Sequence, residues 1–195
     1  MFFEKLKNYN VLLASGSKRR HELLNQLGVK FKIVNQDVEE SFSNDLRCSE
    51  ITDYLAKKKS SLLVEKLKKN DLLITSDTIV WHKNRSLGKP KNRDEALNIL
   101  KKLNGKKHHL VSSVCISKNG KMIWNYTDKA TLKMKNFSDQ DLNQYLNKIT
   151  DEALYAYNVY QIEGEGRNLF ESIEGDENTI MGLPINEIKQ YLPNI

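Results

Sequence analysis

Leu12-Leu13-Ala14-Ser15-Gly16-Ser17-Lys18-Arg19-Arg20-His21-Glu22-Leu23-Leu24 decides how the chain is read. The stretch opens as an apolar strand and turns through small residues. It then enters a helix in which Leu23, Leu24 and Leu27 recur at helical spacing. Ser17 stands where an N-cap belongs, with a hydroxyl able to accept from a free amide of the first turn. Lys18, Arg19 and Arg20 follow, three cations at the positive end of the helix dipole. A helix start that repels itself is expected at a functional site. A bound anion relieves the repulsion, since free amides, dipole and two arginines together make a phosphate site. The plainer alternative has the three cations pointing into water.

Composition bounds what surrounds this stretch. A chain of 195 residues with 39% apolar content can bury one core, so residues 1–195 are read as a single domain. No apolar run approaches a membrane span, and the start lacks the long apolar region of a secretory signal. Cys48 and Cys115 lie far apart and form no motif, which fits a reducing cytoplasm. The four histidines show no metal-ligand spacing. A net charge of +6 could attract nucleic acid, but the lysines are spread along the chain and no aromatic-basic RNA-binding motif accompanies them. Neither nucleic acid nor membrane is expected as a partner.

Downstream of the first helix, Gly28 is placed as its closing residue, and Val29 to Val34 alternates like a half-buried strand. Asp37, Glu39 and Glu40 follow, a pattern most often found in a solvated loop. A long helix is expected from Ser49 to about Leu67, with Ile51, Leu55, Leu62 and Leu63 as its apolar stripe. Lys58 and Lys59 both fall on or near that stripe. A lysine there either snorkels to the surface or reaches into a cleft to hold phosphate.

Asp71 to Val80 reads as a strand whose apolar halves flank Thr75-Ser76-Asp77-Thr78. A buried carboxylate needs a cation, a metal or exposure in a cleft. An aspartate in a strand-end turn is the structural alternative. Gly88-Lys89-Pro90 reads as a turn that holds a lysine firmly. Asn92 caps the next helix, with Glu95 as capping-box partner, and Asn104-Gly105 ends it. His109 to Ser117, an Asn119-Gly120 hairpin turn, Lys121 to Trp124 and Ala130 to Phe137 supply further strands. Ser138 and Asp141 open another helix. Glycine-rich turns then lead to a short helix ending at Leu192. Their spacing matches neither a dinucleotide fingerprint nor a P-loop. Alternating strands and helices give an α/β class.

Five ordered motifs resemble the Maf family of nucleoside triphosphate pyrophosphatases, also called septum-formation inhibitors. They are Ala14-Ser15-Gly16-Ser17 with Arg19-Arg20, Leu55-Ala56-x-x-Lys59, Ser76-Asp77-Thr78-Ile79-Val80, Gly88-Lys89-Pro90, and the closing Gly182-Leu183-Pro184. Leu103-x-Gly105-x-x-His108 matches the family spacing as well. The resemblance implies a Maf/inosine-triphosphatase-like fold, a long mixed sheet with two lobes around a nucleotide cleft. It selects Lys59 over Lys58. It implies Asp77 as catalytic centre, Glu40 and Asp77 as ligands of magnesium or manganese, and Ser15, Arg19, Arg20, Lys59 and Lys89 as substrate-binding residues. It implies hydrolysis of a nucleoside triphosphate to monophosphate and pyrophosphate. The alternatives are a phosphohydrolase releasing inorganic phosphate and a non-catalytic nucleotide-binding regulator of cell division. A homodimer fits the family.

Some positions depart from the family pattern. Lys18 replaces a usual proline, Ser112-Ser113 a threonine-glycine, and Tyr155-Ala156-Tyr157-Asn158 a lysine-alanine-glycine segment. In the family, base selectivity is linked to the positions of Arg19, Thr78 and Glu163. Glu163 resembles a branch directed at 7-methyl-GTP and Arg19 a branch directed at dTTP and UTP. A carboxylate can accept from a guanine edge, which leaves a lean toward a modified purine.

Overall fold

The computed structural model describes residues 5–35, 38–43, 45–156 and 159–195, without the side chains of residues 5, 155 and 156. Asp37, Tyr157 and Asn158 of the sequence reading lie outside these described residues. The apolar run that opens the chain forms β1 (Asn10–Ala14), followed by α1 (Lys18–Gln26) and a short β2 (Phe31–Ile33). Gly28 closes α1 at φ +69°, as its sequence position requires. A long helix, α2 (Cys48–Val64), leads to β3 (Asp71–His82), which hairpins into β4 (Arg85–Leu87). Then come α3 (Arg93–Leu103), β5 (Lys107–Lys118) and β6 (Lys121–Met134). The chain ends with α4 (Asp139–Asn147), α5 (Asp151–Ala156), β7 (Phe170–Glu174), α6 (Glu177–Met181) and α7 (Ile185–Tyr191).

One seven-stranded sheet runs β2-β1-β3-β5-β6-β7, with β4 on β3. β2, β1 and β3 are parallel, and the remaining pairs are antiparallel. This is the long mixed α/β sheet expected from the sequence. One edge of β3 is shared by two partners. β1 covers it from Asp71 to Thr75, and β4 from Val80 to His82. Residues 76–79 therefore face a notch in the sheet, and Asp77 lies within it.

Strand alternation separates the two faces. Thr75 donates to the Ala56 carbonyl of α2 at 2.9 Å and Ser113 to the Thr52 hydroxyl of α2 at 2.8 Å, so odd-numbered residues of β3 and β5 face α2. Even-numbered Leu72, Ile74, Val114 and Ile116 pack with Leu23 and Leu24 of α1 and Ile188 of α7. A second cluster joins Leu110, Ala130 and Leu132 to α3 and α4. Met181 packs against both clusters. Two cores on one sheet give the two lobes.

Several local expectations change. Ser17 is the N-cap residue of α1, but its hydroxyl makes no cap bond; its amide instead donates to the Ser15 hydroxyl at 3.2 Å. α2 stops at Val64, and Leu62 is 48% exposed, because the buried face runs through Ile51, Thr52, Leu55, Ala56 and Ser60. Ser60 belongs to that face because its hydroxyl meets Ser117 at 2.6 Å. Asn92 accepts from the Glu95 amide as expected, but Glu95 returns the bond to Lys91 rather than to Asn92. The two strands expected after Gly120 are one 14-residue strand, held continuous by pairing with β5. The Asn119-Gly120 turn has both residues at positive φ, as the reading required. Lys83 and Asn84 make an equivalent turn between β3 and β4 without glycine, so the sequence did not signal it.

His108 sits on β5 with Nε2 2.9 Å from the Tyr160 hydroxyl and its ring against Phe170. Burial, helped by His82 and His109, pushes its pKa down to about 4. An unfolded histidine binds a proton near pH 6.5, so between pH 6.5 and 4 the unfolded chain holds the extra proton and folding stability falls as pH falls. Acid titration of thermal stability should show a loss of about 3 kcal/mol across that window from this residue. The slope should flatten in a folded His108→Gln variant; an unchanged slope would assign the acid sensitivity elsewhere.

Candidate active site

The notch in β3 opens into a cleft of about 600 Å³. Its walls include the Ser15-Gly16-Ser17 turn, Lys18, Arg20, Glu40, Lys59 and Lys89. Five of the residues expected at the site, Ser15, Arg20, Glu40, Lys59 and Lys89, thus meet in one place, although they come from four separate segments. Asp77 lies just beneath the wall, 5% exposed.

Lys59 ties this group together. Its position follows from the helix–strand packing: Ala56 accepts from Thr75, and one helical turn later Lys59 reaches the next residue on the same face of β3, Asp77. Its Nζ donates to Asp77 Oδ1 at 2.6 Å and to Glu40 Oε1 at 2.7 Å. Lys58 instead donates to the Glu39 carbonyl at 2.8 Å, outside this cluster. Burial pushes the Asp77 carboxyl above the usual carboxylate range, against the pull of Lys59 and Arg20. Burial acts the same way on Glu40, but there Lys59 prevails, with help from Lys89 and Arg20, and holds it below its ordinary value. Burial and the neighbouring Arg20 lower Lys89. Two carboxyls displaced in opposite directions form a pair suited to different roles, one to take a proton and one to stay charged.

The three cations of the first helical turn part company. Lys18 pairs with Glu152 of α5 at the rim of the cleft. Arg19 turns away, 6% exposed, and grips Glu163 with two bonds, Nε to Oε1 at 2.6 Å and Nη2 to Oε2 at 2.7 Å. Arg20 folds under the turn. Its guanidinium donates to the Gly182 carbonyl at 2.8 Å, the Ser76 carbonyl at 3.0 Å, the Thr78 hydroxyl at 2.9 Å and the Ser15 hydroxyl at 3.3 Å. Ser76 lies in the stretch of β3 that faces the notch, so Arg20 supplies a donor to its carbonyl there. The repulsion noted in the sequence is therefore answered within the protein, by two carboxylates and a set of oxygens. Arg19 does not line the cleft, whereas Lys18 and Arg20 do.

Gly182 belongs to the closing Gly182-Leu183-Pro184 motif, which gave it no partner. It sits at φ +104° and its carbonyl receives both Arg20 and the Ser76 hydroxyl, the latter at 2.9 Å. A Cβ there would stand 3.1 Å from the Thr78 hydroxyl and 3.2 Å from Arg20 Nε. Thr78 belongs to the same buried network, since its hydroxyl meets Ser112 at 2.8 Å and Ser112 donates to the Thr179 carbonyl at 2.7 Å. Of the expected specificity residues, Arg19 and Glu163 thus touch each other, and Thr78 sits with Arg20.

Asp77 and Glu40 could hold a divalent cation. Both present an oxygen to one cationic nitrogen within 2.7 Å, so they already converge on a point of positive charge. Two carboxylates completed by phosphate oxygens and water suit magnesium. Among the described residues no cluster of three or more histidine, cysteine or acidic side chains offers a closed metal site. No helix among them is long and apolar enough to cross a membrane.

Comparison with known proteins gives the chain its family. A family model described as Maf-like protein matches residues 10–195. A relative from Pelagibacter ubique (strain HTCC1062), named nucleoside triphosphate pyrophosphatase, is 47% identical over 188 residues, covering 93% of this chain and 96% of its own. A relative from Flavobacterium johnsoniae, named dTTP/UTP pyrophosphatase, is 37% identical over 197 residues and is matched over 100% of both chains. Two solved structures share the fold at low identity. A HAM1 protein from Coxiella burnetii has a TM-score of 0.54 at 11% identity, covering 96% of this chain and 100% of that one. The Staphylococcus aureus Ham1 protein has a TM-score of 0.51 at 14% identity, covering 95% and 98%. With the model matching from β1 to the last residue, the chain belongs to the Maf-like protein family.

Proposed function

We infer that this protein hydrolyses a nucleoside triphosphate to the nucleoside monophosphate and pyrophosphate. The observation that carries the reading is the buried Asp77, joined through Lys59 to the exposed Glu40, at the base of a cleft walled by Lys18, Arg20 and Lys89. The names of the relatives support the same reaction.

A triphosphate carries about four negative charges, so its cleavage depends on positioning and neutralisation more than on covalent chemistry. The Ser15-Gly16-Ser17 turn and the start of α1 offer backbone amides to phosphate oxygens. Lys18, Lys59 and Lys89 bring ammonium groups to the same space. Arg20 serves chiefly to position, fixing the Ser15 turn against Ser76 and Gly182. Asp77, its carboxyl raised by burial, accepts the proton of the attacking water. The new bond forms between the water oxygen and the α-phosphorus, and the bond to the bridging oxygen breaks, releasing pyrophosphate. Glu40 and Asp77 would hold magnesium or manganese, which when bound neutralises phosphate charge.

The lean toward a modified purine assumed that the Glu163 oxygens were open to a guanine edge. Each accepts instead from Arg19. With that ground reduced, and a relative matched over its full length named dTTP/UTP pyrophosphatase, we take a pyrimidine triphosphate as the preferred substrate. A panel of dTTP, UTP, GTP and 7-methyl-GTP should give its highest kcat/KM on dTTP or UTP. A preference for 7-methyl-GTP would restore the purine reading and require Glu163 to leave Arg19.

Asp77→Asn keeps the shape and removes both charge and basicity. It should remain folded and lose roughly 10²–10⁴ in turnover at saturating magnesium, the usual worth of a positioned acid–base group. KM should change less, because the lysines still meet the phosphates. Assays should quantify pyrophosphate and inorganic phosphate together. Inorganic phosphate as the first product would mean a phosphohydrolase, and no product from a folded wild-type protein would mean a binding protein.

A further inference from the structure

We propose that Lys59 is a built-in counter-ion that keeps Asp77 and Glu40 from binding a divalent cation until a triphosphate draws its ammonium away. The inference rests on the reading of these carboxylates as cation ligands and adds an order of binding to it. The Lys59 ammonium has three protons to donate. One is spent on Asp77 Oδ1 at 2.6 Å and one on Glu40 Oε1 at 2.7 Å. The nitrogen therefore fills the place where one ion would meet both oxygens. Magnesium requires its oxygens at about 2.0–2.1 Å, so nitrogen and metal cannot share that place.

Lys59 is free to yield it. Its backbone is fixed, because α2 is bound to β3 through Ala56 and Thr75 one turn earlier. Its side chain, a flexible four-carbon stem, is 14% exposed and lines the cleft in which phosphate would sit. A phosphate oxygen offers the ammonium an alternative acceptor, and its departure uncovers both carboxylates. Nucleotide and cation then raise one another's affinity, as linkage demands. The other basic groups of the cleft cannot act this way. Arg20 is fixed by four oxygens, Lys18 is paired with Glu152, and Lys89 makes no hydrogen bond to either carboxylate among the described residues.

The test is manganese binding to the whole protein without nucleotide, followed by electron paramagnetic resonance or calorimetry. Folding of each variant is checked by thermal melting. Lys59→Met should bind manganese at least about tenfold more tightly than wild type, within the range of allosteric couplings. Lys59→Gln, which keeps a polar group without charge, should tighten binding in the same direction and serves if the methionine variant does not fold. Lys89→Met should change affinity by less than about threefold, as expected for a charge that touches neither ligand. Adding Asp77→Asn to Lys59→Met should abolish the gain. Binding by the Lys59 variants that is no tighter than wild type overturns the proposal, and so does an equal gain in Lys89→Met, which would mean a general field effect. Pyrophosphate release by the wild type is read separately, so either result leaves the assignment of the reaction to its own assay.

Discussion

A carboxylate that is only 5% exposed within an apolar strand has to be neutralised, either by a proton or by a cation at close range. At Asp77 the cation is Lys59, and much of the architecture serves that contact. β3 must run beside α2 with Thr75 under Ala56 for the next residue on that face to meet Lys59. β1 must end at Ala14 and β4 at Leu87, opposite Val80, or the edge of β3 beside Asp77 would be covered by a neighbouring strand. The Ser76 carbonyl, buried beside that uncovered edge, then needs a donor, and Arg20 provides it. Removing one member of such a group leaves another charge or backbone atom without its partner, which is why buried polar clusters are costly to alter piecemeal.

The same contact links fold to chemistry. Burial and Lys59 oppose each other at both carboxyls, and the balance differs because Asp77 is deep and Glu40 lies on an exposed loop. One strand residue and one loop residue sharing a lysine thereby acquire different proton affinities. Around them the charge is positive but unevenly committed. Arg20 is locked into structure, while Lys18, Lys59 and Lys89 present ammonium groups at the cleft. A polyanionic substrate would meet lysine ammonium groups above an arginine fixed by four oxygens.

Much of this was legible in the chain itself. The apolar strand, small-residue turn and leucine spacing of residues 12–24 place β1 and α1. The cost of burying a carboxylate left Asp77 evenly balanced between a site residue and a strand-end turn, and the family motif decided it. The choice of Lys59 over Lys58 needed the family pattern, because helical periodicity places both near the buried face. What the sequence could not carry were long-range partners. Nothing local says that Arg19 would leave its neighbours for Glu163, 144 positions away, or that Arg20 would find the Gly182 carbonyl, 162 positions away. Nor could it be seen that Ser17 makes no cap bond while its own amide donates to the Ser15 hydroxyl. Strand β6 was read as two pieces, Lys121 to Trp124 and Ala130 to Phe137, and pairing with β5 carries it through residues 125–129, which include Asn125 and Asp128.

The central claim is that water attacks the α-phosphorus beside Asp77. Turnover of dTTP in oxygen-18 water, with products resolved by mass spectrometry, tests it directly. The account predicts one heavy oxygen in the nucleoside monophosphate and none in pyrophosphate. Label in pyrophosphate or in inorganic phosphate instead would place the attack at the β- or γ-phosphorus and contradict it.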